Sequence, residues 1–175
     1  DNANAQVQAL AAGQKVTDTI TVTVDDGNGG TAQQVITVTV NGANDAPTIS
    51  GSTTGAVTED GTQVISGELT KSDVDTNDTH TWSVNNDGKG TYGQFSVDAN
   101  GKWTYTLDNA NANVQALAAG QKVTDTITVT VDDGNGGTAQ QVITVTVNGT
   151  NDAPTIGGAT TGAVTEDGTQ VISGE

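Results

Sequence analysis

The sequence predicts an all-β protein in which domains of about 107 residues, each a sandwich of two sheets, follow one another in tandem. Threonine, valine and isoleucine are abundant while methionine is absent, a composition that favours strands. Apolar and polar residues alternate over 123–131, as expected of a strand with one buried and one wet face. Residues 1–68 recur as residues 108–175 with four differences. Near-identity at a fixed spacing indicates an array of repeats.

A short connector marks the predicted domain boundaries. Asn44-Asp45-Ala46-Pro47 returns as Asn151-Asp152-Ala153-Pro154, and these copies hold the two prolines of the chain. Proline fixes its own φ and biases the preceding residue toward extended geometry, so each copy is predicted to be a stiff joint. We therefore interpret residues 1–43 as the C-terminal part of a preceding repeat, 44–150 as a complete repeat, and 151–175 as the N-terminal part of a following one.

The complete repeat is predicted to contain seven short strands. They are placed at 56–58, 63–69, 79–85, 92–97, 102–107, 123–131 and 141–147. Residues 108–120 break the alternation and predict one helical turn, with Asp108 or Asn109 as its N-cap and Gly120 as its end. Seven strands in about a hundred residues favour an immunoglobulin-like β-sandwich.

Composition excludes several classes of function. Twenty-one carboxylates oppose five lysines, giving a net charge of −16, which argues against nucleic acid as a partner and favours a divalent cation. No cysteine is present, so disulfides and thiolate zinc sites are excluded, and a single histidine argues against transition metals. No apolar run reaches the roughly 20 residues of a membrane span. No arrangement of residues indicates a catalytic triad, so an enzyme is not expected.

The carboxylates are predicted to collect at the two ends of the sandwich, because successive connections of an antiparallel sandwich alternate ends. Stacked repeats would then bring both sets and the connector together, and calcium takes six to eight oxygen ligands. The candidate ligands are Asn44, Asp45, Glu59, Asp60, Asp73, Asp75, Asp78, Asp108, Asp132, Asp133, Asn151 and Asp152. The alternative is that these are acidic turns that serve solubility. His80 is interpreted as a strand residue on a polar face rather than a ligand.

The aromatic side chains allow two interpretations. Trp82, Phe95 and Trp103 are predicted to be core residues, since large rings dominate burial in small domains. Alternatively, aromatic rings on one sheet could stack on sugars, in which case Tyr92 and Tyr105 are the candidates. The first interpretation suits a structural spacer, and the second suits a module that binds glycans or another cell.

Several segments, in order along the chain, carry a family resemblance. They include Val57-Thr58-Glu59-Asp60, Ser72-Asp73-Val74-Asp75, Tyr92-Gly93-Gln94-Phe95, Gly101-Lys102-Trp103, Val114-Gln115-Ala116-Leu117 and Asn151-Asp152-Ala153-Pro154. The chain thereby closely resembles the VCBS repeat, and its connector is similar to the joint between cadherin domains. The resemblance implies a cadherin-type sandwich that serves as a calcium-dependent extender in giant bacterial RTX adhesins. These are exported by type I secretion, held at the cell surface and active in biofilm formation. Its implied partners are adjacent identical repeats.

Overall fold

The computed structural model describes residues 1–168, 171 and 173, and the all-β prediction is confirmed. The strands are β1 (Lys15–Asp25), β2 (Thr31–Asn41), β3 (Thr48–Gly51), β4 (Thr54–Thr58), β5 (Val64–Ser72), β6 (Thr81–Val84), β7 (Gly93–Val97), β8 (Lys102–Leu107), β9 (Lys122–Asp132) and β10 (Thr138–Asn148). One-turn helices α1 (Ala5–Gln8) and α2 (Ala112–Gln115) precede β1 and β9. The described residues contain no helix that is long and apolar enough to cross a membrane.

Two four-stranded sheets form the sandwich, with strand orders β4-β10-β9-β6 and β3-β5-β8-β7. The predicted first strand at 56–58 lies within β4, which pairs parallel with β10. β3 lies in the opposite sheet, where it pairs antiparallel with β5, and has no counterpart among the predicted strands. The chain changes sheet after Gly51, whose φ of +122° suits glycine and few other residues. No hydrophobic alternation marks β3, so its pattern gave no strand signal.

The core lies where β9 and β10 face the other sheet. Alternate residues of these strands are buried, including Val129 and Val145, and they pack with Phe95 and Trp103. The prediction that Phe95 and Trp103 are core residues is thus confirmed, and Trp82 is partly buried against the same cluster. Tyr105 is wholly buried. The suggestion that Tyr105 belongs to a sugar-stacking platform is therefore wrong, and Tyr92, the other candidate, is partly buried against the same cluster.

Asp125 interrupts the alternation of apolar residues in β9 because its carboxylate accepts hydrogen bonds in the protein interior. It is 3 % exposed and accepts hydrogen bonds from the backbone N–H groups of Thr91 and Tyr92, at 2.8 Å each. The hydroxyl of Tyr105 donates a third bond at 3.0 Å. A buried carboxylate with three donors is satisfied. It fixes the loop before β7 against the sheet.

Burial raises the pKa of Tyr105, and the neighbouring Asp125 raises it further by its charge and its hydrogen bond. The fold therefore favours the neutral phenol, so this contribution to stability is complete below the unfolded pKa of about 10 and is lost as pH rises above it. In a Tyr92→Phe variant, which leaves Tyr105 as the single tyrosine, phenolate absorbance should appear together with unfolding. Ionisation of Tyr105 in the native state near pH 10 would contradict this expectation.

The predicted helical turn exists as α2, but its cap differs from the prediction. The N-cap is Asn111, whose side chain accepts from the N–H of Asn113 at 2.9 Å. Asp108 instead closes a preceding turn through the N–H of Ala110. Asn109 is occupied elsewhere, by Asp60. Each of the two predicted caps thus has another partner, which is local for Asp108 and distant in the sequence for Asn109.

Candidate metal centre

Three connections meet at the end of the sandwich where the chain enters it, here called the proximal end. They are the loop between β5 and β6, the turn between β9 and β10, and the first connector. Asp73, Asp78 and Asp133 each bring one carboxylate oxygen within 4.8 Å of the other two. Carboxylates this close repel one another unless a cation lies between them. The convergence predicted from loop alternation therefore holds for these three.

Asp133 is held by its own turn. One carboxylate oxygen accepts from the N–H groups of Asn135 at 2.7 Å and Gly137 at 2.9 Å. The side-chain amide of Asn44 donates to the other oxygen at 2.9 Å. These bonds, that of Asn44 foremost, lower the pKa of Asp133 below its usual range despite burial, which acts to raise it. The carboxylate is therefore kept ionised and aimed at its neighbours.

The earlier copy of this turn shows what the rest of the repeat adds. Asp26 is the counterpart of Asp133, and it accepts from Asn28 at 2.8 Å and Gly30 at 2.9 Å in the same manner. Asp26 is nevertheless exposed, whereas Asp133 is 0 % exposed. Because the local turn is the same in both copies, the connector and the β5–β6 loop are what turn this carboxylate into part of a cluster.

The first connector is docked into the cluster through both of its polar residues. Besides the amide of Asn44, the backbone N–H of Asp45 donates to Asp75 at 2.8 Å. Pro47 is buried beside them. The connector is thus held against the sandwich by hydrogen bonds to the carboxylates of Asp75 and Asp133.

Several oxygens of this cluster are buried without a donor among the described residues. They are Oδ1 of Asn44, Oδ1 of Asp75 and Oδ2 of Asp78. Leaving a buried oxygen without a partner costs about 1–3 kcal/mol. Carboxylate and amide oxygens are the ligands that a hard cation such as calcium takes. The residues present therefore fit the ion that the sequence suggests.

His80 differs from the expectation of a polar strand face. It precedes β6, and its Nε2 lies 2.8 Å from Oδ2 of Asp73, with both side chains almost fully buried. The imidazole thus helps to hold the carboxylate of Asp73 in position. A histidine seven residues after a carboxylate gives no recognisable signal, so its role could not be read from sequence.

Glu59 is the main feature of the opposite, distal end. It is 0 % exposed, and Oε2 accepts from the backbone N–H of Thr150 at 3.0 Å. Its own N–H donates to the carbonyl of Asn148. Oε1 has no donor among the described residues. A buried glutamate with one free oxygen thus sits where the second connector begins.

The remaining candidates are less closely gathered. Asp60 and the side chain of Asn109 exchange hydrogen bonds at 3.1 and 2.7 Å at the distal end. Asp108 and Asp132 cap their own turns. Asn151 and Asp152 are exposed. The sequence contains no counterparts of Asp73 and Asp78 for this second connector.

Gly137 leaves space for the docked connector. A Cβ at this position would overlap the carboxylate of Asp133 and lie 2.9 Å from Cα of Ala46. We expect Gly137→Ala to lower stability by about 1–3 kcal/mol, since crowding a packed site costs that much. Gly30→Ala, its counterpart, would meet Asp26 alone and should change little. Urea unfolding of both variants measures the difference, and equal effects would contradict a packing role for the connector.

Comparisons with known proteins give one family match and several similar solved structures. The profile of a family described as bacterial cadherin-like domain matches residues 44–149. Solved structures similar to the chain include mouse protocadherin-24 EC1-3 (20 % identity, TM-score 0.43, covering 77 % of this chain and 45 % of that one). Drosophila N-cadherin EC1-4 (21 %, 0.42, 77 % and 32 %) and mouse cadherin-23 EC22-24 (18 %, 0.42, 75 % and 41 %) are also similar. The chain spans less than half the length of each. Comparison with curated proteins gives no significant match.

Proposed function

We propose that this chain, which belongs to the family of bacterial cadherin-like domains, is a calcium-stiffened spacer. Domains of this family are extracellular adhesion modules rather than enzymes. The observation that carries this proposal is the convergence of Asp73, Asp78 and Asp133 on the docked connector. In this proposal each domain is one segment of a rod, and the ion sets the angle between neighbouring segments.

Charge supplies the reason for a cation at the joint. Residues 44–150 carry 13 carboxylates and four lysines, a net charge of −9. Repeats of like charge repel and would bend apart at a flexible connector. A divalent ion between the proximal carboxylates reduces that repulsion. Since it binds the docked connector better than a free one, it also stabilises the docked state by mass action.

Residues of this chain have distinct parts in holding the ion. Asp73, Asp75, Asp78 and Asp133 would supply carboxylate oxygens, and Asn44 its free amide oxygen. Calcium would supply the charge that holds these groups together. Glu59 would do the corresponding work at the distal end, contributing its free Oε1 to the ion shared with the following repeat. Each junction would thus combine ligands from two repeats and their connector.

The parent protein is proposed to be a bacterial surface adhesin of the RTX type, in line with the resemblance to the VCBS repeat. In such a protein tandem spacers project a binding tip away from the cell, which serves adhesion and biofilm formation after type I secretion. Two nearly identical copies in one chain support a spacer, since a rod unit repeats without needing an individual site.

The test uses the two connectors of this chain as sample and control. Asn-Asp-Ala-Pro occurs in both, so intrinsic amide exchange rates are matched. Asp45 donates its N–H to Asp75, whereas Asp152 lacks the proximal loop of a following repeat. Amide exchange measured by NMR in chelator and in millimolar calcium should show slowing at Asp45 that exceeds any at Asp152. Exchange at Asp45 that is indifferent to calcium would overturn the proposal.

A further inference from the structure

Asparagine followed by glycine occurs three times in the complete repeat, at Asn100-Gly101, Asn135-Gly136 and Asn148-Gly149. This dipeptide favours spontaneous deamidation, because glycine has no Cβ to hinder the attack of its amide nitrogen on the preceding side chain. The attack needs a side-chain amide that can turn toward the backbone and a nitrogen that is not held in a hydrogen bond. Contacts within residues 44–150 distinguish the three sites in these respects.

Asn148, at the end of β10, is held most firmly. Its Nδ2 donates to the carbonyl of Val57 at 2.9 Å, and the N–H of Gly149 donates to the carbonyl of Gln121 at 3.0 Å. A Cβ at Gly149 would lie 2.5 Å from atoms of Leu117, so the backbone has no room to move. Both reacting groups are thus occupied.

The site at Asn100 is restrained through the backbone of Gly101. The N–H of Gly101 donates to the carbonyl of Asp98 at 3.1 Å, and its carbonyl accepts from the N–H of Leu69 at 2.9 Å. The ring of Trp82 lies 3.0 Å from where a Cβ of Gly101 would stand. Asn100 itself is exposed, but the nitrogen that would attack its side chain is held in the turn.

Asn135 has neither restraint. It is exposed, and its side-chain amide makes no hydrogen bond within the part of the chain that the structure describes. The N–H of Gly136 donates to no carbonyl there. It faces the carboxylate of Asp133, whose pKa it lowers less than the other hydrogen bonds to that group do. Gly136 has a φ of +104°, and nothing lies within 4 Å of where its Cβ would stand. The backbone can therefore close onto the side chain.

We propose that Asn135 is a site of spontaneous deamidation and that the isoaspartate formed there releases Asp133 from its turn. The nitrogen of Gly136 forms a bond to Cγ of Asn135, the Cγ–Nδ2 bond breaks, and ammonia leaves with the proton of the attacking nitrogen. Water then opens the succinimide ring, adding its hydroxyl to a carbonyl carbon and its proton to the ring nitrogen. Opening at Cγ gives aspartate. Opening at the α-carbonyl carbon gives isoaspartate, whose backbone runs through Cβ and Cγ and is longer by a methylene group.

The longer backbone falls between two donors that hold Asp133. Its Oδ1 accepts from the N–H groups of Asn135 and Gly137, and the added methylene lies between these two groups in the chain. Isoaspartate therefore prevents both bonds from being kept together. In the proposed function Asp133 binds calcium, so a weaker joint after conversion rests on that proposal. The two experiments that follow are made in chelator and do not depend on it.

Peptide mapping of the full chain, incubated in water enriched in heavy oxygen, measures conversion at each site. At mildly alkaline pH, Asn135 should convert about fivefold or more faster than Asn100, because a hydrogen bond must first open at Gly101. Asn148 should stay intact over the same period. In guanidinium chloride, where the chain is unfolded, the three sites should convert at similar rates. Similar rates in the folded chain, or no conversion at Asn135, would overturn the proposal.

Amide exchange measured by NMR tests the effect on Asp133. Aged molecules that carry isoaspartate, separated by ion exchange, are compared with fresh Asn135→Asp, which has the same charge without the longer backbone. Exchange at Gly137 should be about tenfold or more faster in the aged molecules, since a hydrogen bond to a charged group is lost. It should stay near the original rate in Asn135→Asp. Equal exchange in the two samples would show that isoaspartate does not release Asp133.

Discussion

Replacing Asp125 with alanine is expected to lower the free energy of unfolding of the sandwich by about 3–5 kcal/mol. The change leaves the N–H groups of Thr91 and Tyr92 and the hydroxyl of Tyr105 without their acceptor in the interior. With a total stability of about 5–15 kcal/mol for a domain, such a loss is a large fraction of the whole. Urea unfolding followed by tryptophan fluorescence measures it, because Trp82 and Trp103 both lie in the complete repeat.

The internal repeat supplies the control. Asp18 is the counterpart of Asp125 in β1 and is exposed. Asp18→Ala should therefore change stability by no more than about 0.5 kcal/mol, as surface substitutions do. If Asp125→Ala lay within 1 kcal/mol of the wild type, the hydrogen bonds to this carboxylate would not fix the loop as described.

Calcium is expected to raise the melting temperature of the chain by roughly 10–20 °C. At a free concentration about 100 times its dissociation constant, a ligand that binds only the folded state adds about 2.7 kcal/mol. For a domain of this size each kcal/mol shifts the midpoint by about 4–8 °C. Magnesium should do less, because it demands a strict octahedron and keeps more of its water. Differential scanning calorimetry in chelator, calcium and magnesium measures the three midpoints.

Two matched substitutions locate that effect. Asp133→Asn removes one carboxylate from the cluster and should abolish most of the calcium-dependent shift. Asp26→Asn makes the same change in a turn with the same backbone hydrogen bonds but without converging carboxylates, and should preserve it. A shift of the same size in both variants would mean that calcium acts elsewhere.

Most strands could be predicted from local sequence patterns. The features that were predicted wrongly depend on tertiary contacts. The alternation of β9 and β10 predicts their buried faces because side-chain direction along a strand has a period of two. β3 and its place in the sheet opposite β4 could not be predicted, since which sheet each strand joins depends on partners distant in the sequence. Likewise the helix cap at Asn111 follows from competition among neighbouring polar side chains.

The same division applies to the candidate site. The rule that successive connections alternate between the two ends of the sandwich was enough to predict that Asp73, Asp78 and Asp133 lie at the same end. It could not separate them from Asp132, one residue away, which points into its own turn and accepts from Gly134. Nor could it show that His80 supports Asp73, since that contact depends on how the loop closes. Sequence reasoning thus found the region, and side-chain orientation determined its members.

A crystal structure of the chain grown in millimolar calcium, with anomalous data, tests the central claim most directly. We expect an anomalous peak among Asp73, Asp78 and Asp133, with oxygen ligands at about 2.3–2.6 Å that include the amide oxygen of Asn44. A map with no anomalous peak at these carboxylates, and with the first connector undocked, would contradict the account.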